Sequence, residues 1–470
     1  MLIMKIICPN NNQNERKYII EYVFESLLHI PVSVVFLDGE SNYTILVGEE
    51  KRIVIEDHFF CFYPLDSSYL DVHNIPDKVS WLHYNGTVVP IIYGRDYIRE
   101  SVNEILIGVD IFASSFFMVT RWEEYLLGRE EKYDERSLFQ IDENKLFCVR
   151  NGIEKRQIVF EYETILRSVL NDLGIHLPFS RTPRVIITHD VDSLGSRPAR
   201  IILSNTLRFL RNKNWRETKN WITTNIKIFF NSINAMHFFQ KYIDIAKPSG
   251  YSNIFLVKSC YSSEVECTYD ISKKHIRVFL QRLLKKTSGI GFHPSQSVFG
   301  NTEQFIDEYN RFIALMQKQP LLGRNHRLLH NTETFYQWSS SPTRLISNWG
   351  YQTRVGFRCG ISYPVPIFDV FKREKMDVID LPFTLMDSSL IRECKNEESI
   401  VNAIKQVISS SVKHGSVLCI NWHIRPFTKH DSNIVYRLFS YIIDELRSNG
   451  FDNGSMTSIL DLLSKKQIAN

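Results

Sequence analysis

Residues 184–192 read RVIITHDVD. A β-branched, apolar run ends here in a histidine and two aspartates one residue apart, where a strand would ordinarily close in turn formers. A carboxylate left beside a core costs several kcal/mol unless a cation or a hydrogen-bond donor meets it. Aspartates at i and i+2 of an extended segment project to the same side. Asp190 and Asp192 therefore face one site, one placed to bind a cation and the other to act as a base. A divalent metal would let the two carboxylates tolerate each other.

Downstream of this run, apolar strands (NIFLV at 253–257, GIGFH at 289–293, VGFRCG at 355–360, VIDLPF at 378–383, VLCINWH at 417–423) recur. They alternate with helical patterns at 270–286, 301–317, 398–413 and 433–449. Such alternation predicts a parallel α/β sheet or a (β/α) barrel, here over residues 183–465. Upstream, short strands such as MKIIC (4–8), VSVVFLD (32–38), YTILVG (43–48) and RIVIED (52–57) predict a smaller α/β or α+β domain over 1–150. Within it, Asp110 is placed to cap a packing helix whose apolar stripe runs through Phe112, Phe116, Val119 and Trp122. Residues 151–182 read as a connecting helix and a proline-containing linker. Between 198 and 250, two basic amphipathic patterns (199–215 and 234–250) are expected on the outside of the barrel with solvated cations, rather than at a membrane surface.

The chain has 470 residues, 44% of them apolar and 23% charged, enough for two or three domains. Its 56 cationic and 52 anionic side chains are interspersed, so the mildly basic balance argues against a nucleic-acid partner. The eight cysteines contain no C-x-x-C pair, which indicates neither a zinc knuckle nor a disulfide framework. With no recognisable leader and no apolar run of ~18 residues, a cytoplasmic location without a transmembrane segment is expected.

In a barrel, chemistry gathers at the carboxyl ends of the strands, where loops share one face. THDVD (188–192), GFHPSQS (291–297), RNHRLL (324–329), GFRCG (356–360), DLPFTLMD (380–387) and NWHIRP (421–426) all occupy such positions. His293 and His423 offer imidazoles as ligands or proton carriers, and Arg358 offers a fixed cation.

THDVD, HPSQS, GFRCG and INWH occur in the order in which the polysaccharide deacetylases, carbohydrate esterase family 4 with the NodB-homology fold, carry their motifs. Residues 183–465 resemble that family. More closely, the whole chain resembles a bacterial subgroup with an uncharacterised N-terminal domain, through FASSFFMVTRWEEY, GFHPS, NHRLL and LPFTLMD as well. The resemblance implies a distorted (β/α) barrel, Asp190 as general base, Asp192 and His293 as ligands of a divalent metal, most simply Zn²⁺, Arg358 as the group orienting Asp190, and His423 as general acid. Where the family carries the second histidine of H-x-x-x-H, this chain has Ser297, a poor ligand for zinc. His326 is the expected substitute, with His189 behind it and Arg324 placed to screen the carboxylate-rich rim. Trp422 and Phe292 are expected to wall the substrate. The function implied is removal of an N-acetyl group from an N-acetylated sugar or polysaccharide precursor, nucleotide- or lipid-linked, in surface-polysaccharide metabolism. Ser297 also leaves open a catalytically inactive relative that binds a glycan or a biosynthetic partner.

Overall fold

The computed structural model describes residues 3–130, 141–177, 181–194, 235–260, 269–424 and 431–463, with scattered positions between 203 and 226. The basic pattern expected over 199–215 lies largely outside the described residues; that over 234–250 contains the helix Ala235–Ala246.

The N-terminal strands are β1 (Met4–Pro9), β2 (Val32–Leu37), β3 (Asn42–Val47), β4 (Lys51–Glu56), β5 (Ser80–Tyr84), β6 (Thr87–Ile91), β7 (Gly94–Glu100) and β8 (Glu104–Val109). Six of them form a mixed sheet in the order β2-β1-β3-β4-β8-β7, while β5 and β6 form a separate hairpin. Alternating burial along β3 and β4 matches the period-two pattern of their sequences. Asp110 does cap the helix Ile111–Thr120, accepting from Ala113 N at 3.0 Å. That helix is buried on every side rather than along one stripe, because a second layer covers what would be its polar face. Phe112 meets Tyr43 of the first sheet, whereas Phe116 meets Phe368 from the C-terminal half. The helix Ile158–Asp172, expected as a connector, is itself buried over most of its length and belongs to this packing.

The C-terminal half contains β9 (Arg184–Val191), β10 (Asn253–Val257), β11 (Gly289–Phe292), β12 (Leu345–Ile346), β13 (Val365–Asp369), β14 (Glu374–Asp380), β15 (Phe383–Met386), β16 (Val417–Asn421) and β17 (Asp452–Asn453). β15, β16, β9, β10 and β11 pair in that order, all in parallel. Gly323 then bridges β11 to β12 by single parallel contacts with Phe292 and Ile346. A side chain at 323 would collide with the Trp338 ring, 2.1 Å from where a Cβ would stand, so only glycine lets the bridge form. β12 pairs β14 in parallel, and β13 closes that edge antiparallel. The pairing is thus an open path from β15 to β13, in which β14, the strand next to the β13 end, and β15 are successive parts of the stretch 374–386. Among the described residues, no helix is long and apolar enough to cross a membrane.

Parallel strands bring all their carboxyl ends to one edge. Asp190 and Asp192 sit at the end of β9, Lys258 follows β10, His293 follows β11, Arg324 follows the Gly323 bridge, Asp387 follows β15, and Trp422 and His423 follow β16.

Candidate active site

Three side chains, from the ends of β9 and β11 and from the segment after the Gly323 bridge, converge. Asp192 Oδ1 lies 3.5 Å from His293 Nε2 and 3.7 Å from His326 Nε2, and one ligating atom from each residue falls within 4.8 Å of the others. His293 is buried, and its Nδ1 is 2.6 Å from the carbonyl oxygen of Arg324. A carbonyl only accepts, so Nδ1 carries the proton and donates, leaving the neutral ring's Nε2 as a lone-pair donor aimed at Asp192. His326 is delivered by a tight turn, His326–Leu328, in which Arg327 and Leu328 both adopt left-handed φ of 57°. Gln352 Nε2 donates to the Arg327 carbonyl at 2.7 Å and braces that strained turn. Two imidazoles and one carboxylate make a donor set that could hold a divalent ion.

Asp190 is buried behind this cluster. Its Oδ1 accepts from Arg324 NH1 at 2.9 Å and its Oδ2 from Asn421 Nδ2 at 2.9 Å. Burial pushes this carboxyl upward, but the Arg324 guanidinium, helped by the His423 imidazolium, outweighs burial and holds it below the usual carboxylate range. Asp190 is therefore ionised at neutral pH. Arg358, expected in this role, is elsewhere: it clasps Glu124 of the helix Trp122–Glu130 (Nε to Oε1 3.0 Å, NH2 to Oε2 2.8 Å) and donates to the Gly350 carbonyl. The loop carrying it is drawn towards the N-terminal half, where Phe357 N donates to the Glu154 carbonyl at 2.7 Å. Arg324, one residue beyond the bridging Gly323, takes the place beside Asp190 instead.

On the opposite flank, His423 Nδ1 bonds Asp387 Oδ1 at 2.6 Å, while its Nε2 lies 3.9 Å from Asp190 Oδ2 and 4.0 Å from Asp192 Oδ2. Burial disfavours charge on this ring, yet Asp387, with Asp190 and Asp192 beyond it, lifts the imidazole from 6.5 to about 9. At neutral pH it is a cation with a proton to give. A folded-state value raised this way gives stability that is complete below the ordinary histidine range and is lost as pH rises through about 9. In chelator-treated protein, the melting temperature should therefore fall between pH 7 and 9.5 in wild type and stay flatter in Asp387→Asn. Parallel profiles for the two proteins would show that the pair does not titrate in this window.

The remaining expected residues separate by strand parity. His189, the residue just before Asp190, points to the other side, where Nδ1 meets the Trp422 carbonyl and Nε2 meets Asn253 Oδ1, both at 2.8 Å. Both of its nitrogens are used, so it is no ligand. Phe292 precedes His293 and Trp422 precedes His423, and each aromatic points away from the rim into the core. Phe292 packs against Phe312 and Trp338, and Trp422 against Phe439. Both are fully buried, which corrects their expected place on the substrate wall. Ser297 bonds Ser295 Oγ and Gln304 Nε2 in a network around Glu308. Asp387, Asn421 and Lys258 were not picked out from the sequence. Each is a polar residue at or just after the end of an apolar strand, the same signal that marked Asp190.

Residues 4–175 match a family described only as of unknown function, DUF7033. No curated protein matches the chain. Among solved structures, a crystal structure from Mycobacterium smegmatis named as a polysaccharide deacetylase is similar over 60% of this chain and 96% of its own, at 11% identity and a TM-score of 0.35. A second, from Bordetella bronchiseptica, is named as a polysaccharide deacetylase involved in O-antigen biosynthesis. It is similar over 60% of this chain and 90% of its own, at 12% identity and a TM-score of 0.27.

Proposed function

We propose that this chain is a metal-dependent hydrolase of the polysaccharide deacetylase type, removing an N-acetyl group from an N-acetylated sugar or polysaccharide precursor in surface-polysaccharide metabolism. What carries the reading is the convergence of Asp192, His293 and His326 on one point, with an ionised carboxylate on one side and an imidazolium on the other. Residues 183–465 are then read as a distorted (β/α) barrel closed by 374–386, and residues 1–150 as an N-terminal domain joined through 151–182.

Asp192, His293 and His326 would hold the ion, and Zn²⁺ suits their mixed nitrogen and oxygen donors. When bound there, a divalent cation supplies Lewis-acid polarisation of an acyl oxygen and acidifies water. Asp190, kept ionised by Arg324, is the proton acceptor for the attacking water. His423, oriented through Nδ1 by Asp387, presents Nε2–H to the leaving nitrogen and donates the proton that turns it into an amine. Acid and base thus arrive on separate strands, β16 and β9, which are neighbours in the sheet.

The test is a metal titration beside an amine-release assay on an N-acetylated chitooligosaccharide. Stoichiometric Zn²⁺ in wild type is expected to be lost in Asp192→Ala and to bind ~10-fold or more weakly in His326→Ala, with activity falling alongside. Absence of stoichiometric metal in wild type, or unchanged affinity in both variants, would overturn the assignment.

A further inference from the structure

β10 is buried along its whole length, and the residue that follows it, Lys258, is a lysine only 1% exposed. Its backbone is fixed: Lys258 N donates to Tyr269 Oη at 2.8 Å, and that hydroxyl donates onward to the Val191 carbonyl at 2.8 Å. From this anchor the ammonium reaches 3.1 Å from Asp192 Oδ1. That is the same oxygen that faces His293 Nε2 and His326 Nε2. In its neutral form the His293 ring turns a lone pair towards this oxygen, because its proton is spent on the Arg324 carbonyl. Two electron-rich atoms pointed at each other need a positive charge nearby, and Lys258 brings one from within the chain.

We propose that Lys258 is a resident cation of the metal site: its ammonium holds the Asp192 oxygen in the metal-free protein and must withdraw for a divalent ion to take that oxygen. This rests on the metal reading above and adds to it a device that sets affinity. A singly and a doubly charged cation on one carboxylate oxygen repel strongly in a buried setting. Lysine suits the task because its charge sits at the end of a flexible four-carbon stem and can swing aside, as a planar guanidinium fixed by several bonds could not. The metal-free site is thereby kept neutralised and folded, and occupation becomes sensitive to the available metal concentration.

The sign of one measurement separates this role from an ordinary supporting one. A residue that merely orients a ligand weakens metal binding when removed; a competing cation strengthens it. Zn²⁺ is titrated calorimetrically into chelator-stripped wild type, Lys258→Met and Lys258→Arg, and Co²⁺ is added in parallel to follow the site by visible absorption. Lys258→Met is expected to bind Zn²⁺ at least ~10-fold tighter than wild type, to melt at a lower temperature when metal-free, and to gain more on metal addition. Lys258→Arg, which keeps the charge, should not tighten. Should Lys258→Met fail to fold, Lys258→Gln takes its place. Equal or weaker binding in the uncharged variant, with wild type still binding, sinks the role of Lys258 alone. If no protein in the series binds Zn²⁺ or Co²⁺, the metal reading falls and this inference falls with it.

Discussion

Arg324→Met should destabilise the protein by about 3–5 kcal/mol at neutral pH, read as a drop in the midpoint of urea unfolding. Arg324 is completely buried, and each of its nitrogens is engaged. Nε donates to the Ser347 carbonyl, NH1 to Thr188 Oγ1 and Asp190 Oδ1, and NH2 to Ser347 Oγ, all at 2.8–2.9 Å. Methionine fills much of the space but leaves the Asp190 carboxylate buried with the Asn421 amide as its remaining hydrogen-bond donor among the described residues. The cost then comes from an unpaired charge rather than from a cavity. This has a signature: the double variant Arg324→Met with Asp190→Asn should recover part of the loss, because it removes the orphaned carboxylate. In wild type, the depressed Asp190 carboxyl contributes stability that is present above the ordinary aspartate range and disappears as pH falls through its lowered folded-state value. Loss of less than ~1 kcal/mol in Arg324→Met, or no recovery in the double variant, would mean that the pair does not hold the rim together.

Asp190→Asn should lower amine release from an N-acetylated chitooligosaccharide by roughly 10²–10⁴-fold while leaving Zn²⁺ content near wild type. Asparagine keeps the shape and can still meet Arg324 through its oxygen, but it cannot accept a proton. Asp192→Asn, two residues along and on the same side of β9, should instead lose metal and activity together. The contrast matters because both carboxylates lie near His423 Nε2, at 3.9 and 4.0 Å, so proximity to the acid does not distinguish them. What does is their partners: Asp190 is tied to Arg324 and Asn421, while Asp192 faces two imidazoles. Equal metal content and equal activity in the two variants would show the division of roles to be wrong.

Much of this rim could be read from strand parity. The i, i+2 spacing of the aspartates placed them on one side, and the same rule, applied to Phe292 beside His293 and Trp422 beside His423, would have sent both aromatics inward. The position of Arg358 is a different matter. Whether the arginine of GFRCG or that of RNH reaches Asp190 depends on a carboxylate 234 positions earlier, Glu124, and no local pattern encodes that pairing. The all-round burial of the helix Ile111–Thr120 is illegible for the same reason, since its second covering layer comes from residues such as Phe368 and Gly360, far along the chain. The course of the sheet beyond β11 is also illegible, because it turns on a one-residue bridge at Gly323 too short to show as a strand.

The clasp between the two halves bears on how such a chain can be inherited. Glu124 holds Arg358, Glu143 receives the backbone of Gln352 and Thr353, and the Glu154 carbonyl receives Phe357. Every one of these bonds joins the N-terminal half to the loop between β12 and β13. A recombination event that exchanged the first ~175 residues for an unrelated module would strip this loop of its anchors and expose the apolar contact between Met118 and Gly360. Shuffling of the kind that appends binding modules to enzymes is thus penalised here, and substitutions at 124 and 358 should travel as pairs through descent.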